Sequence, residues 1–214
     1  MSKKKVDNNL YYGLSERMDD EQRIFFDSML QFPAVFVDAP AGTGKTTLAV
    51  AAAKYLTESG KVNGLLYTFA PVAEGEMGFR PGDQREKEGE YLYPLRDALA
   101  EIGDIPDKAL DEKFGWVKAR SHVFMRGINI EKKFLIIDEA QNLTISQLKK
   151  IYTRCHDSTI VVTIGHTGQI DIKKSQSGFE RYIEHFRDEP YVSVCTLSKN
   201  YRGEFANHAD RLGE

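Results

Sequence analysis

The chain has 214 residues, 41% of them hydrophobic and 29% charged, with a formal net charge of −3. That is enough chain for one sizeable domain with a proper core, and an ordinary globular composition excludes a disordered or fibrous protein. No apolar run reaches membrane length, and the slightly acidic balance argues against a chain dedicated to coating nucleic acid.

The start, MSKKKVDNN, is basic and polar and lacks the apolar core of a signal peptide. Residues 1–18 are expected to form an N-terminal tail, with one domain over 19–214. A helix is expected to start at Asp19 or Asp20, either of which can cap it, and to run through EQRIFFDSML. AVFVD, residues 34–38, is a short apolar run of buried-strand type. Then come Ala39-Pro40-Ala41-Gly42-Thr43-Gly44-Lys45-Thr46 and a helix-forming stretch from Thr46 to Ser59. Strand, small-residue loop and helix make the setting of a phosphate-binding loop. Gly42 and Gly44 allow backbone N–H groups close to an anion, and the helix start adds its dipole. Lys45 can reach the β- and γ-phosphates, and Thr46 can offer its hydroxyl to Mg²⁺. Ala41, Gly42, Thr43, Gly44, Lys45, Thr46 and Thr47 are thus the expected nucleotide-binding residues. Two features sit awkwardly with this. Ala39 stands where the strict motif has Gly, a restriction on φ, and Asp38 places a carboxylate near a triphosphate unless its side chain points away.

GLLYTFA, residues 64–70, reads as a second strand. A long surface excursion over about 71–115 follows, rich at first in Gly, Pro and charge, with a helix near Leu95–Ile102. Between Pro81 and Glu112 there are ten acidic and four basic residues; between Lys113 and Lys133, one acidic and six basic. The second stretch interleaves Phe114, Trp116, His122 and Phe124 with its cations, a pattern that suits a single-stranded phosphate backbone and stacked bases. The plainer alternative is a strand and turn whose aromatics face the core. WVKARSH is a candidate strand. FLIID then delivers Asp138-Glu139 to the end of a buried strand, where α/β sheets place ligands. Asp138 suits Mg²⁺ binding, and Glu139 suits polarising an attacking water. SQLKKIYTRC is expected as a helix, TIVVTIG as a strand, Ser177–Phe186 as a helix and YVSVCTL as a last strand. Strands alternating with helices imply a mainly parallel sheet flanked by helices. Cys155 and Cys195 read as reduced thiols of a cytoplasmic chain, and the five histidines lack metal-ligand spacing.

The ordered series APAGTGKTTLAV, APVAEGEMGFRPGD, YLYPLRDAL, FMRGIN, FLIIDEAQNLTISQLKKIYTR, IGHTGQIDI and SGFERYI resembles the PhoH family of ATPases, from about Gln22 to Arg202. These are similar to the core domain of superfamily-one helicases. The resemblance implies a single RecA-like P-loop NTPase domain that binds and hydrolyses ATP with Mg²⁺ and acts on single-stranded RNA or DNA. It implies an oligomer, a hexameric ring, because one ATPase module alone cannot step along a strand. Related helicases commonly carry Ala at the position of Ala39. By resemblance Gln22 reads adenine, Gln141 places water or couples to substrate, Gln169 senses the γ-phosphate, and Arg202, in TLSKNYRG, is a finger for it. Arg80, Trp116 and Arg126 are the nucleic-acid candidates. Two departures stand out. His166 follows Gly165 where the family has Asp, and Ala70 ends the second strand where the family has Arg. A second reading, from another class, is a nucleotide-dependent switch that binds a protein partner without translocation; the acidic stretch favours it.

Overall fold

The computed structural model describes residues 11–70, 91–125 and 127–209. The expected contacts of Arg80 and Arg126 therefore lie outside the described residues, as does the first part of the excursion, residues 71–90.

Helix α1, Asp20–Gln31, starts on a reciprocal cap: Gln22 N–H donates to the Asp19 carboxylate, and Asp19 N–H donates to the Gln22 side chain. Strand β1, Ala34–Asp38, leads through the glycine-rich loop into α2, Lys45–Glu58. There follow β2, Leu65–Phe69; α3, Tyr93–Glu101; and the short α4, Pro106–Ala109, on which sequence periodicity is silent. Then come β3, Val117–Ser121; β4, Phe134–Asp138; and α5, Ile145–Tyr152, with a second reciprocal cap between Thr144 and Gln147. Strand β5, Ile160–Gly165, helix α6, Phe179–Phe186, strand β6, Val192–Thr196, and helix α7, Glu204–Ala209, complete the order.

All six strands run parallel in the order β3-β2-β4-β5-β1-β6. Alternate strand residues serve two cores. Val35, Val37, Leu65, Tyr67, Phe134 and Ile136 pack with α1, α2 and α3 on one face. Phe36, Leu66, Leu135 and Ile137 pack with α5 and α6 on the other. A sheet covered on both faces explains why β2 and β4 read as continuous apolar runs rather than alternating ones. Of the expected tail, residues 11–18 lie against the first core: Leu14 is buried within it, the Tyr11 and Phe26 rings stand 4.4 Å apart, and Tyr12 Oη donates to Glu58. Among the described residues no helix is long and apolar enough to cross a membrane. Both cysteines are free thiols, and burial pushes that of Cys155 up to about 12, which leaves it unreactive at neutral pH.

The parallel register brings the carboxyl ends of β1, β4 and β5 side by side. The phosphate loop with Lys45, Glu139 and Gln169 all follow those ends, and Arg202 comes from the segment after β6.

Candidate functional site

Ala39 is fully buried and donates its N–H to Gly165 O at the end of β5, 3.0 Å away. It is not among the residues with positive φ, so alanine meets no restriction here. Gly42 and Gly44 do adopt left-handed φ, 78° and 79°, where a side chain is strained. Gly42 is also crowded: a Cβ there would lie 2.4 Å from Asn200 Oδ1 and 2.7 Å from Arg202 Cγ. Gly44 begins α2 with no side-chain cap, so the first-turn N–H groups have no side chain competing for them. Thr43 Oγ1 and Lys45 Nζ both donate to Pro40 O at 3.1 Å, which closes the loop on itself and draws the Lys45 amine across it.

The two halves of the site meet at Asp138. This residue is 2% exposed, and burial of a charge is tolerable only with donors around it. Oδ2 accepts from Tyr67 Oη at 2.6 Å and Thr46 Oγ1 at 3.2 Å; Oδ1 accepts from Glu139 N–H at 2.9 Å. Tyr67 is the partner that sequence reading missed. It sits on β2 as one more apolar-run residue, and only the β2–β4 register reveals it.

Glu139 itself occupies the left-handed region, φ 53°, a strained conformation for a non-glycine residue and of a kind that gathers at functional sites. Burial raises its pKa, and the neighbouring Asp138 charge adds to that; the Gln141 amide and the Lys45 cation work the other way. Gln141 Nε2 donates to Glu139 Oε2 at 2.7 Å while Gln141 Oε1 accepts His166 N–H at 3.1 Å. Gln141 thus bridges the end of β4 to the turn after β5. That turn is pinned at its far end too: Asn142 and Asp171 exchange two bonds, 2.7 and 2.8 Å. Gln169 lies between the pins with an exposed side chain.

Gln22 reaches the loop, but not as a free reader. Its Nε2 donates to Thr43 O at 2.9 Å and its Oε1 holds the helix cap, leaving one N–H and one lone pair. Beside it a cavity of about 330 Å³ opens, lined by Leu14, Met18, Gln22, Leu48 and Tyr201. A larger cavity, about 470 Å³, lies at the opposite, amino end of the strands around Pro33, Phe36 and Tyr191. It touches none of these groups, so size alone misplaces the site. Residues after β6 close the loop from above. Tyr201 N–H donates to Gly42 O at 2.9 Å, and Tyr201 Oη donates to Asp19 at 2.6 Å. Arg202 rests its stem on Gly42 of its own chain.

The profile of the family described as PhoH-like protein matches residues 16–206. The chain belongs to the PhoH family. It is 36% identical over 182 residues to a PhoH-like protein of Bacillus subtilis, covering 83% of this chain and 56% of that protein. It is 31% identical over 170 residues to PhoH of Escherichia coli, covering 77% and 48%. The chain therefore spans about half the length of these curated relatives. Among solved structures it is similar to the large terminase of a thermophilic bacteriophage, TM-score 0.60, 11% identity, 91% of this chain and 50% of that one. It is also similar to the Hef helicase domain of Pyrococcus furiosus, TM-score 0.54, 12% identity, 85% and 38%. At those identities the likeness establishes the fold, a RecA-like domain.

Within this PhoH domain the remaining candidates divide. Trp116 turns inward: its indole N–H donates to Asp104 at 2.9 Å, its ring packs on the first core, and its carbonyl accepts Leu65 N–H. Phe124, just beyond β3, is exposed instead. Ala70 is buried at the end of β2.

Proposed function

We propose that this PhoH domain binds and hydrolyses ATP and uses the cycle to act on single-stranded RNA or DNA. The observation that carries the reading is the meeting of Thr46 Oγ1 and Asp138 Oδ2 at 3.2 Å, which joins the phosphate-binding loop to the end of β4. Two hard oxygens with one charge between them fit Mg²⁺, which keeps several waters and takes its other ligands from phosphates. When bound, the ion would neutralise charge on the β- and γ-phosphates.

The chain's own groups supply the rest. Backbone N–H groups of Gly42, Gly44 and the first turn of α2 cradle the phosphates. Lys45 exchanges Pro40 O for a phosphate oxygen, a charge-assisted bond stronger than the one it leaves. Glu139 accepts a hydrogen bond from the attacking water, held in orientation by Gln141. Gln169 reports the γ-phosphate, and Arg202, lying on its own loop, stabilises charge in cis. The base enters the cavity beside Gln22, whose unused N–H and lone pair match an adenine edge.

For the nucleic acid, support comes from the basic run beginning at Lys113. Arg120 is exposed on β3 and Phe124 beyond it, so we place the strand across the end of β3. Stacking falls to Phe124, since the Trp116 indole is already engaged. A homo-oligomeric ring, hexameric and cytoplasmic, completes the reading. Phosphate release with Mg²⁺-ATP, alone and with single-stranded RNA or DNA, tests it. Stimulation by either strand at moderate salt, lost at high salt, is the expected result. Turnover indifferent to both would leave an ATPase switch with a protein partner.

A further inference from the structure

The turn after β5 carries Gln169, and something must hold it at a fixed height over the phosphate loop. The group that does so comes from β1. Asp38 and Gly165 are register partners on adjacent strands. The Asp38 carboxylate reaches over that pair and takes three bonds: Thr167 Oγ1 donates to Oδ2 at 2.7 Å, Thr167 N–H donates to Oδ1 at 3.0 Å, and His166 Nδ1 lies 3.2 Å from Oδ1. The next residue, Ala39, just past the end of β1, opens the phosphate loop and is itself bonded to Gly165 O. The packing around this joint leaves little slack. A Cβ at Gly165 would meet the Phe179 ring at 2.7 Å, and one at Gly168 would meet His166 Nε2 at 2.7 Å.

We propose that Asp38 is a positioning residue for phosphoryl transfer: it clamps the Thr167–Gln169 turn to the root of the phosphate loop. The proposal rests on the ATPase reading given above. In the sequence Asp38 is a liability, a carboxylate one residue before a triphosphate site. In the fold its two oxygens are turned onto the neighbouring strand's turn and occupied there. The same turn reaches Glu139 through the His166 N–H and Gln141. One carboxylate therefore sets the relative height of the loop, the γ-phosphate sensor and the water-orienting carboxylate. His166 belongs to the clamp: the acid arrives from β1 and the turn supplies the donors. A misplacement of about 1 Å in such a constellation costs on the order of 100-fold in rate.

The test compares the unaltered protein with Asp38→Ala, Asp38→Asn and Thr167→Val. Steady-state turnover and the dissociation constants of fluorescent ATP-analogue and ADP-analogue nucleotides are measured for each. The expected result for Asp38→Ala is a fall in kcat of about 10–100-fold. Its affinity for the ATP analogue changes by less than about threefold, and its preference between the two analogues narrows towards unity. Asp38→Asn, which keeps an acceptor for the Thr167 N–H, recovers most of the rate. Thr167→Val, which removes only the hydroxyl and keeps the β-branched shape, loses part of it and serves where Asp38→Ala does not fold. Turnover by the unaltered protein, matched by Asp38→Ala or by Thr167→Val, overturns the positioning role alone. So does a loss confined to nucleotide affinity with kcat intact. Absence of turnover in the unaltered protein overturns the ATPase reading, and this inference with it.

Discussion

Replacing Tyr67 by Phe separates the support of Asp138 from its chemistry. The Tyr67 side chain is buried, and its hydroxyl donates to Asp138 Oδ2 at 2.6 Å. Burial, reinforced by the charges of Asp138 and Glu139, holds that hydroxyl well above the usual phenol range, so it is a donor throughout the working pH range. The substitution keeps the ring's packing and deletes one hydrogen bond to a charged acceptor, worth about 1.5–3 kcal/mol. Asp138 retains Thr46 Oγ1 and the Glu139 N–H, so the lower end, about 1.5 kcal/mol, is expected. At about 2–4 °C per kcal/mol for a chain of this size, Tm should fall by roughly 3–6 °C. The functional effect is separate. Removing a group that orients a metal-binding carboxylate costs about 10–100-fold in metal affinity or activity. The Mg²⁺ concentration for half-maximal turnover should therefore rise about tenfold or more, and excess Mg²⁺ should restore most of kcat. Thermal melts in EDTA, with Mg²⁺ titrations of phosphate release, read both numbers. An unchanged Tm with an unchanged Mg²⁺ midpoint would refute the reasoning, as would a loss of kcat that no Mg²⁺ relieves.

Other perturbations discriminate further. Lys45→Ala should weaken ATP binding by about 10–100-fold, the worth of a charged hydrogen bond, while Tm stays close to that of the unaltered protein; equilibrium binding of a fluorescent analogue checks it. Glu139→Gln should bind ATP normally and lose about 100-fold or more in kcat. Because the Glu139 pKa is raised by burial and by Asp138, the acid limb of kcat/KM, which reports the free protein, should lie above the ordinary carboxylate range. The same shift sets a stability trend. A group whose folded pKa exceeds its unfolded value contributes stability that is fully present below the unfolded pKa and lost as pH rises through the folded one. Urea titrations across that window should show the unaltered protein losing stability relative to Glu139→Gln as pH rises. Ala39→Gly, which restores the strict motif, should not improve nucleotide affinity and should cost up to about 1 kcal/mol, since Ala39 has no positive φ to relieve. Gly42→Ala should cost more than that and disturb the Tyr201–Arg202 segment resting on it.

How far the sequence reaches depends on whether a feature is local. Strand, glycine loop and helix follow each other directly, so Gly42 to Thr46 could be read from spacing alone. Asp138 and Glu139 end an apolar run, and the same holds for them. The capping of α1 was legible as Asp19 or Asp20, but not the second use of Gln22 on Thr43 O, twenty-one residues along. Tyr67, Asp38 and Thr167 lie beyond pattern reading for one reason. Their roles arise from parallel register between strands far apart in the chain, and a strand buried on both faces loses the alternation that would mark which residues point where. Trp116 shows the complement. Aromatics among cations fit both a strand-binding face and a core face, and only the bond to Asp104 places the indole inward. Short α4 and α7, four and six residues, offer too few turns for a period to emerge.

The central claim is that the loop from Ala39 to Thr46 and the pair Asp138-Glu139 form one ATP-hydrolysing site. Phosphate release by the purified chain at saturating Mg²⁺-ATP, run beside Glu139→Gln, tests it most directly. The account predicts steady turnover that EDTA abolishes and that Glu139→Gln lowers by about 100-fold or more. Equal rates in the two proteins, or no turnover above the uncatalysed background in the unaltered one, would contradict it.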